Sequence, residues 1–148
     1  MVGLDVNRDG EPNIFHHYIV RSDGSEQLIR RDIDLNGNGM VDVWRFYEDG
    51  ERLKKEAFDL DFDGVVDVWN FFDDQGRLIR KEADLSLNGQ TDLWKYYENG
   101  KLVRKERDTS GNGRADYFEF WEDGEIDRVG EDLNGDGTVD RWTRRARG

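Results

Sequence analysis

Six short segments of the chain repeat one pattern of oxygen-bearing side chains, the first of them loosely. The pattern is D-x-[DNS]-x-[DN]-G-x-x-D, and the third segment supplies Asp59, Asp61, Asp63, Gly64 and Asp67. Side chains at alternate positions 1, 3 and 5 can curl round one point, and the glycine at position 6 permits a sharp turn. Calcium is a hard cation that takes six to eight oxygen ligands at about 2.3–2.6 Å. The pattern therefore predicts a calcium-binding loop, in which a backbone carbonyl at position 7 and water complete the ligand set.

The predicted side-chain ligands occupy positions 1, 3, 5 and 9 of each segment. In the first segment Asn13 replaces the ninth aspartate and Pro12 precedes it, so we expect five or six bound Ca²⁺ ions. The loop that begins at Asp59 has four carboxylates and should bind most tightly, whereas those that begin at Asp84 and Asp108 have two each and should bind more weakly. The predicted ligands are Asp5, Asn7, Asp9, Asn13, Asp34, Asn36, Asn38, Asp42, Asp59, Asp61, Asp63, Asp67, Asp84, Ser86, Asn88, Asp92, Asp108, Ser110, Asn112, Asp116, Asp132, Asn134, Asp136 and Asp140.

The same segments could be simple turns, because aspartate, asparagine and glycine favour turns for local reasons. Six copies in one register favour metal binding, on the premise that turn chemistry alone does not require acid at both position 1 and position 9. The charge agrees, since 34 acidic and 22 basic residues give a net charge of −12, which six divalent ions would neutralise. Without ions, clustered carboxylates would repel one another and destabilise the fold.

Position 12 distinguishes this loop from the EF-hand, whose first half it resembles. An EF-hand has a bidentate glutamate there, whereas the six segments have His16, Arg45, Asn70, Lys95, Glu119 and Thr143. The recurrent aspartate at position 9 instead resembles the calcium loops between β-strands in the integrin α-chain propeller and related extracellular repeats. That resemblance implies that the ninth residue closes the coordination sphere and that the chain leaves the loop as a strand.

The six segments begin 29, 25, 25, 24 and 24 residues apart, and the sequence between them is also repeated. Each unit continues with an alternating strand rich in β-branched and aromatic residues, a tight turn, and a return strand. We therefore predict an all-β fold, an elongated antiparallel β-meander or solenoid of 24–25-residue hairpin repeats joined by calcium loops. We expect one array over residues 1–148, with repeats that begin near residues 5, 34, 59, 84, 108 and 132 and a truncated last copy.

The hairpin turns contain Asp49-Gly50, Gln75-Gly76, Asn99-Gly100 and Asp123-Gly124. Asn-Gly and Asp-Gly between alternating runs predict type I′ turns, which require positive φ. The spacing from Trp44 to Leu53 is nine residues, but that from Trp94 to Leu102 is eight. We therefore expect the extra residue to lie in the turn, where insertions cost least.

The hairpin sequence TDLWKYYENGKLVRKERD resembles the bacterial variety of the MORN-type repeat. The resemblance covers about 15 residues of each copy. It implies a single-layered antiparallel sheet that twists along its length, in which the calcium loop replaces a short glycine-rich link.

Composition excludes several functions. A net charge of −12 disfavours nucleic-acid binding, because phosphates would repel the chain. The chain has no cysteine and only two histidines, which argues against zinc and redox-metal centres. No apolar run approaches the ~20 residues that span a bilayer, so we expect no membrane insertion. We expect no enzyme, because the carboxylates recur as equivalent ligands and form no distinctive catalytic pair.

We expect a structural or adhesive module of a cell surface or extracellular assembly, in which calcium rigidifies the β-array. Short loops without the bidentate glutamate suit weak sites of ~10⁻⁴–10⁻³ M, so the predicted location is extracellular, cell-surface or periplasmic. The predicted partners are Ca²⁺ and either a second copy, joined head to tail as a fibre, or a cell-surface protein or polysaccharide. The last strand has Arg141, Arg144, Arg145 and Arg147, which would protect an exposed edge or dock on an acidic surface.

Two other functions stay open. One is a calcium-dependent glycan- or protein-binding module that presents aromatic columns, and the other is a cytosolic MORN-like interaction scaffold. One column contains Trp44, Trp69, Trp94, Phe118 and Trp142, and the opposite face has Tyr47, Phe72, Tyr97 and Trp121. Cross-strand packing within the sheet would equally explain these aromatic residues.

Overall fold

The computed structural model describes residues 1–146, which contain only β-strands, turns and loops. The strands are antiparallel and occur in the sheet in the order of the sequence, which confirms the predicted all-β meander. No helix in this part of the chain is long and apolar enough to cross a membrane. Arg147 of the predicted basic strand lies outside the described residues. The strands are β1 (Val2–Leu4), β2 (Ile14–Val20), β3 (Glu26–Ile33), β4 (Val43–Glu48), β5 (Arg52–Phe58), β6 (Val68–Phe72), β7 (Leu78–Ala83), β8 (Leu93–Glu98), β9 (Lys101–Arg107), β10 (Tyr117–Glu122), β11 (Glu125–Glu131) and β12 (Arg141–Arg144).

The chain forms two compact units, Met1–Gly76 and Arg77–Gly148. The first contains β1 to β6 and the second contains β7 to β12, so each unit includes three of the six acidic loops. The prediction of one continuous array stays a prediction.

Every acidic loop is closed by a strand pair at its base. Phe58, immediately before the loop at 59–67, pairs with Val68, immediately after it. The equivalent residues are paired around the other five loops. The loops therefore begin and end at fixed points of the sheet, as the prediction of a strand leaving position 9 required.

Two hairpin turns have the predicted geometry. Asn99 and Gly100 have φ angles of 50° and 77°. Asp123 and Gly124 have φ angles of 51° and 82°. Both turns are two-residue connections between directly paired strand ends, as a type I′ turn requires.

The other two turns have a different geometry, which contradicts the type I′ prediction at Asp49-Gly50, whereas no turn type was predicted for Gln75-Gly76. Glu48 pairs with Arg52, so the turn that contains Asp49-Gly50 has three residues, and the positive φ angles are at Gly50 and Glu51. The additional residue is the one that the nine-residue spacing placed in the turn. In Gln75-Gly76 only the glycine has positive φ, because the Gly76 N–H donates to the Asp73 carbonyl at 3.0 Å in a different turn.

A β-bulge recurs in the hairpins, and the sequence analysis did not predict it. Phe46 pairs with Lys55 but Tyr47 pairs with Leu53, which leaves Lys54 as an extra residue in the return strand. The hairpins β2–β3, β8–β9 and β10–β11 have a register shift at the equivalent position. A bulge bends the strand and increases the local right-handed twist.

Basic side chains cover aromatic rings on the face of the sheet. The Lys55 Nζ atom lies 4.7 Å from the ring centre of Phe46 and 5.2 Å from that of Trp69. In the second unit the Arg104 guanidinium lies 4.1 Å from the ring centre of Tyr96. Few apolar side chains are fully buried, so these cation–π contacts and the apolar stems of the basic residues cover much of the aromatic surface. The buried apolar residues are Leu28, Val43, Ala57, Val68, Ala83 and Leu93.

Replacement of Lys55 by methionine tests the contribution of this cation. We expect Lys55→Met to lower the free energy of unfolding by about 0.5–1 kcal/mol, because the stem is retained and the cation–π contacts are lost. Lys54→Met is the matched control. The Lys54 side chain is exposed and its carboxylate partners, Glu48 and Asp74, lie 3.6 and 3.5 Å away, so its loss should change stability by less than about 0.5 kcal/mol. If urea unfolding showed the same loss of stability in Lys55→Met and Lys54→Met, the cation–π contacts of Lys55 would not contribute to stability.

Candidate metal centre

In every loop the carboxylate at position 1 accepts hydrogen bonds from the main chain of the same loop. Asp59 accepts from the N–H groups of Phe62 and Gly64, both at 2.8 Å. In all six loops the position-6 glycine donates to the position-1 aspartate at 2.6–2.9 Å. These glycines have φ of 85–96°, a conformation that costs other residues about 1–2 kcal/mol. The predicted role of the glycine at the sharp turn is confirmed.

The residue at position 9 closes the loop from the other end. Asp42 accepts from the Leu35 N–H at 2.7 Å, and Asp67 accepts from the Leu60 N–H at 2.6 Å. In the first loop the Asn13 amide oxygen accepts from the Val6 N–H at 3.3 Å. Positions 1 and 9 therefore supply acceptors for main-chain donors of the loop, a structural role that acids share with an amide such as Asn13.

Side chains at positions 3 and 5 form local turns. The position-5 oxygen accepts from the N–H of position 7 at 2.8–2.9 Å in all six loops. At position 3, the Asn36 and Asn134 side-chain oxygens accept from the N–H of position 5, both at 2.9 Å. Aspartate and asparagine favour such turns. In each loop the side chains at all four predicted ligand positions thus take part in hydrogen bonds within the loop.

Several carboxylates at positions 1 and 9 are buried, and they have no basic partner among the described residues. Asp42, Asp59 and Asp67 are 1%, 3% and 4% exposed. Among residues 1–146, no ion pair includes an acid from position 1, 3, 5 or 9 of any loop. A buried charge is costly unless it is hydrogen-bonded and compensated. The hydrogen bonds are provided by the loop, but the charge is not neutralised by the protein.

The loop at 59–67 contains the densest group of acids. Among the described residues, only Asp59, Asp61 and Asp67 form a group of three acids that each place an oxygen within 4.8 Å of the others. Loss of hydration raises the pKa of Asp61 above its ordinary value of 3.8, and the charges of Asp63, Asp67 and Asp59 raise it further. This loop fits a hard cation, because its donor set is oxygen only and its carboxylates repel one another.

The loops that begin at Asp84 and Asp108 have a different balance of donors and charges. The Ser86 and Ser110 hydroxyls donate to Asp84 and Asp108 respectively, each at 3.1 Å. Burial raises the pKa of Asp84 and of Asp108, but main-chain and serine hydrogen bonds outweigh that effect, and both pKa values lie below the ordinary value. These aspartates are therefore stabilised as anions by neutral donors.

The first and last loops use amide and hydroxyl donors. The Asn7 amide donates to Asp9 at 2.8 Å. The Thr138 hydroxyl donates to Asp136 and, with the Thr138 N–H, lowers the pKa of that carboxyl. The last loop has three acids, but they do not form a close group of the kind found at 59–67 within the described residues.

One buried acid outside the loops escaped the sequence analysis. Asp32 is 6% exposed and accepts from His17 Nε2 at 2.8 Å, while the Arg30 guanidinium lies 2.8 Å away. His16, on the opposite side of the strand, accepts from Arg31 Nε at 3.0 Å. The two histidines therefore contact different partners, and Asp32 forms a structural ion pair. The R-x-D spacing of Arg30 and Asp32 within β3 is the sequence feature that could have predicted this ion pair.

The chain matches no protein-family model and no curated protein sequence. It is similar in structure to a chain of a "GtfA/B complex bound to UDP and GlcNAc", at 18% identity and a TM-score of 0.49 over 88% of this chain and 26% of that one. It is also similar to a chain of "accessory secretory protein 1,2 and 3 in Streptococcus pneumoniae", at 13% identity and a TM-score of 0.37 over 88% and 21%. The chain thus spans about a quarter or less of these proteins. The resemblances to MORN-type repeats and to integrin calcium loops stay predictions.

Removal of the Asp42 carboxylate tests its metal-independent role. Asp42→Ala leaves the Leu35 N–H without its acceptor, and we expect the free energy of unfolding in EDTA to fall by about 1–3 kcal/mol. Asn38→Ala, at an exposed position of the same loop, should cost less than about 1 kcal/mol. If Asp42→Ala matched wild type in EDTA, the carboxylate would have no role in the metal-free loop.

Stability of the metal-free chain should depend on pH in two opposite ways. The depressed pKa values of Asp84 and Asp108 contribute stability that is present above pH 3.8 and is lost as the pH falls through their lower folded values. The raised pKa of Asp61 destabilises the fold at neutral pH, and this effect disappears as the pH falls through the raised value. Thermal unfolding in EDTA should therefore show maximum stability at mildly acidic pH. In Asp61→Asn, stability should no longer increase as the pH falls from neutral towards that maximum. If the increase persisted in the variant, it would not come from Asp61.

Proposed function

We propose that this protein is a calcium-binding repeat protein whose ions stabilise the acidic loops between its β-hairpins. The observation that carries the proposal is the group of Asp59, Asp61 and Asp67, whose oxygens lie within 4.8 Å of one another. A divalent cation of oxygen preference is the ligand that this donor set accommodates. Main-chain carbonyls and water would complete its coordination.

The charge distribution supports the proposal. The loop acids have hydrogen bonds but no basic partner among residues 1–146, and loss of hydration together with the charges of Asp63, Asp67 and Asp59 raises the pKa of Asp61. Binding of a cation would remove this repulsion in the folded state. Because the unfolded chain does not gather these carboxylates, the free energy of binding would add to the stability of the fold.

The biological role that we propose is a structural or adhesive module that works outside the cytoplasm. The loops have two to four carboxylates each, and only one of them has a glutamate at position 12, Glu119. Such loops suit the weak sites of extracellular modules, whose Kd is about 10⁻⁴–10⁻³ M. Calcium at extracellular concentration would then stiffen successive hairpins, whose stabilities in a repeat protein depend on their neighbours.

A glycan-binding platform receives less support. Basic side chains lie over the rings of Phe46, Trp69 and Tyr96, and Arg128 lies 4.5 Å from the ring centre of Phe120. A sugar ring would have to displace these cations before it could stack. The aromatic columns are more simply explained as part of the sheet's own packing.

Thermal unfolding with Ca²⁺, Mg²⁺ or EDTA, followed by ion counting, tests the proposal. At a Ca²⁺ concentration hundredfold above the Kd, one site adds about 2.7 kcal/mol of stability, so Tm should rise by several degrees. Mg²⁺ should have a smaller effect, because it requires a tighter octahedral geometry. An identical Tm in all three conditions, with no bound ion, would leave the loops as turns and favour the MORN-like scaffold.

Asp61→Asn separates binding from folding. Asparagine keeps an acceptor for the Asp63 N–H but removes one charge, so we expect a higher Tm in EDTA and about tenfold weaker Ca²⁺ binding at this loop. Asp74→Asn, which removes the same charge from an exposed turn residue that pairs with Lys54, should leave Ca²⁺ affinity unchanged. Equal Ca²⁺ affinity in Asp61→Asn and wild type would exclude Asp61 as a ligand.

A further inference from the structure

The residue at position 3 differs among the loops: it is aspartate in one loop, serine in two, and asparagine in three (Asn7, Asn36 and Asn134). The loop at 59–67 has Asp61 there, which can only accept hydrogen bonds when ionised. The loops at 84–92 and 108–116 have Ser86 and Ser110, whose hydroxyls can donate. Both serine loops belong to the unit that begins at Arg77, whereas the loop with Asp61 belongs to Met1–Gly76.

In the serine loops, hydroxyl groups occupy the acceptor sites of the carboxylates. Ser86 Oγ and Ser110 Oγ each lie 3.1 Å from the position-1 aspartate of their own loop. In the loop at 108–116 a second hydroxyl, Thr109 Oγ1, donates to Asp116 at 2.7 Å. The position-1 carboxylates of both loops therefore receive a side-chain O–H donor in addition to main-chain donors, and in the loop at 108–116 the position-9 carboxylate does so as well.

The loop at 59–67 has no equivalent donor. Its positions 1, 3, 5 and 9 are all carboxylates, and the position-2 and position-4 residues are Leu60 and Phe62. Main-chain N–H groups are the donors that reach Asp59 and Asp67. Additional positive charge for this loop must come from solution.

We propose that the side chain at position 3 determines whether a loop depends on calcium. On this inference the loops at 84–92 and 108–116 are held closed by their serine hydroxyls and keep their structure without a cation, whereas the loop at 59–67 requires one. It rests on the proposed function and makes it specific: calcium regulates the unit Met1–Gly76 through the Asp59 loop.

Hydrogen–deuterium exchange of the full chain in EDTA and in Ca²⁺ tests the inference loop by loop. The informative amides donate to position-1 carboxylates, namely those of Phe62 and Gly64 in one loop and of Gly89 and Gly113 in the serine loops. At saturating Ca²⁺ the first pair should exchange at least about tenfold more slowly than in EDTA. The second pair should already be protected in EDTA and change less than about twofold.

A reciprocal exchange of side chains identifies the determinant. Asp61→Ser should remove the calcium response of the loop at 59–67 and keep or increase its protection in EDTA. Ser86→Asp should lower protection of the loop at 84–92 in EDTA and create a calcium response there. Ser25→Asp is the matched control, because Ser25 Oγ donates to Asp23 at 2.6 Å in a hairpin turn outside the loops, and its added charge should create no response.

The outcomes separate the two proposals. Equal calcium responses in all three loops of the wild-type protein would support calcium binding but overturn the division of the loops. A calcium response confined to the loop at 59–67, with no gain in Ser86→Asp, would overturn position 3 as the determinant. No response in any loop would overturn the proposed function and this inference together. The wild-type comparison decides the division of the loops even if a variant does not fold.

Discussion

The main-chain N–H groups of six short glycine-containing loops require acceptors, and the aspartates at positions 1 and 9 provide them. An unpaired buried N–H costs as much as a lost hydrogen bond, so the loop cannot close without these acids or an equivalent acceptor such as Asn13. Closure at the base then follows from strand pairs such as Phe58 with Val68. The direction of every hairpin depends on this local satisfaction of the backbone. The loop acids therefore have a structural role as acceptors, and the calcium binding that we propose would use the same carboxylates.

Positive charge is used elsewhere in the fold. Arg104 lies over the ring of Tyr96 and forms an ion pair with Glu106 at 2.9 Å on the same strand. Arg80 and Glu82 form a similar pair at 3.0 Å. The basic residues thus stabilise the strands, whose few buried apolar side chains leave aromatic surface to be covered. Acids gather in the loops and cations on the hairpins, and this separation leaves room for an external ion.

The sequence predicted the larger features because each had a local physical cause. The repeat period, the strands, and the left-handed glycines of the loops follow from residue types alone. Two of the turns, Asn99-Gly100 and Asp123-Gly124, followed the same local rule. The shifted turn at Glu51 did not, because the strand pairing of Glu48 with Arg52 decides where the chain reverses.

The recurrent bulge and the serine hydrogen bonds could not be predicted from pattern. A bulge changes the register of two strands, and strict alternation of side chains describes each strand separately. The hydroxyl of Ser86 can donate or accept, and only its distance from Asp84 shows which carboxylate it reaches. The main-chain donors that reach the acids at positions 1 and 9 also became visible only in three dimensions.

Successive loops are also joined through the backbone of position 9. The Asp42 N–H donates to the Ile33 carbonyl at the start of its own loop, and the Asp42 carbonyl accepts from the Asp59 N–H of the next loop. The same link joins Asn13 to Asp34, Asp92 to Asp108 and Asp116 to Asp132. Within each compact unit these backbone links fix the loop ends of neighbouring hairpins relative to one another, whereas turn residues contact through side chains, such as Arg21, which donates to Asp49 at 2.9 Å. The turns of the hairpin repeats can thus diverge in length over evolutionary time. Recombination between repeats would preserve every such link if it kept whole segments from one loop to the next.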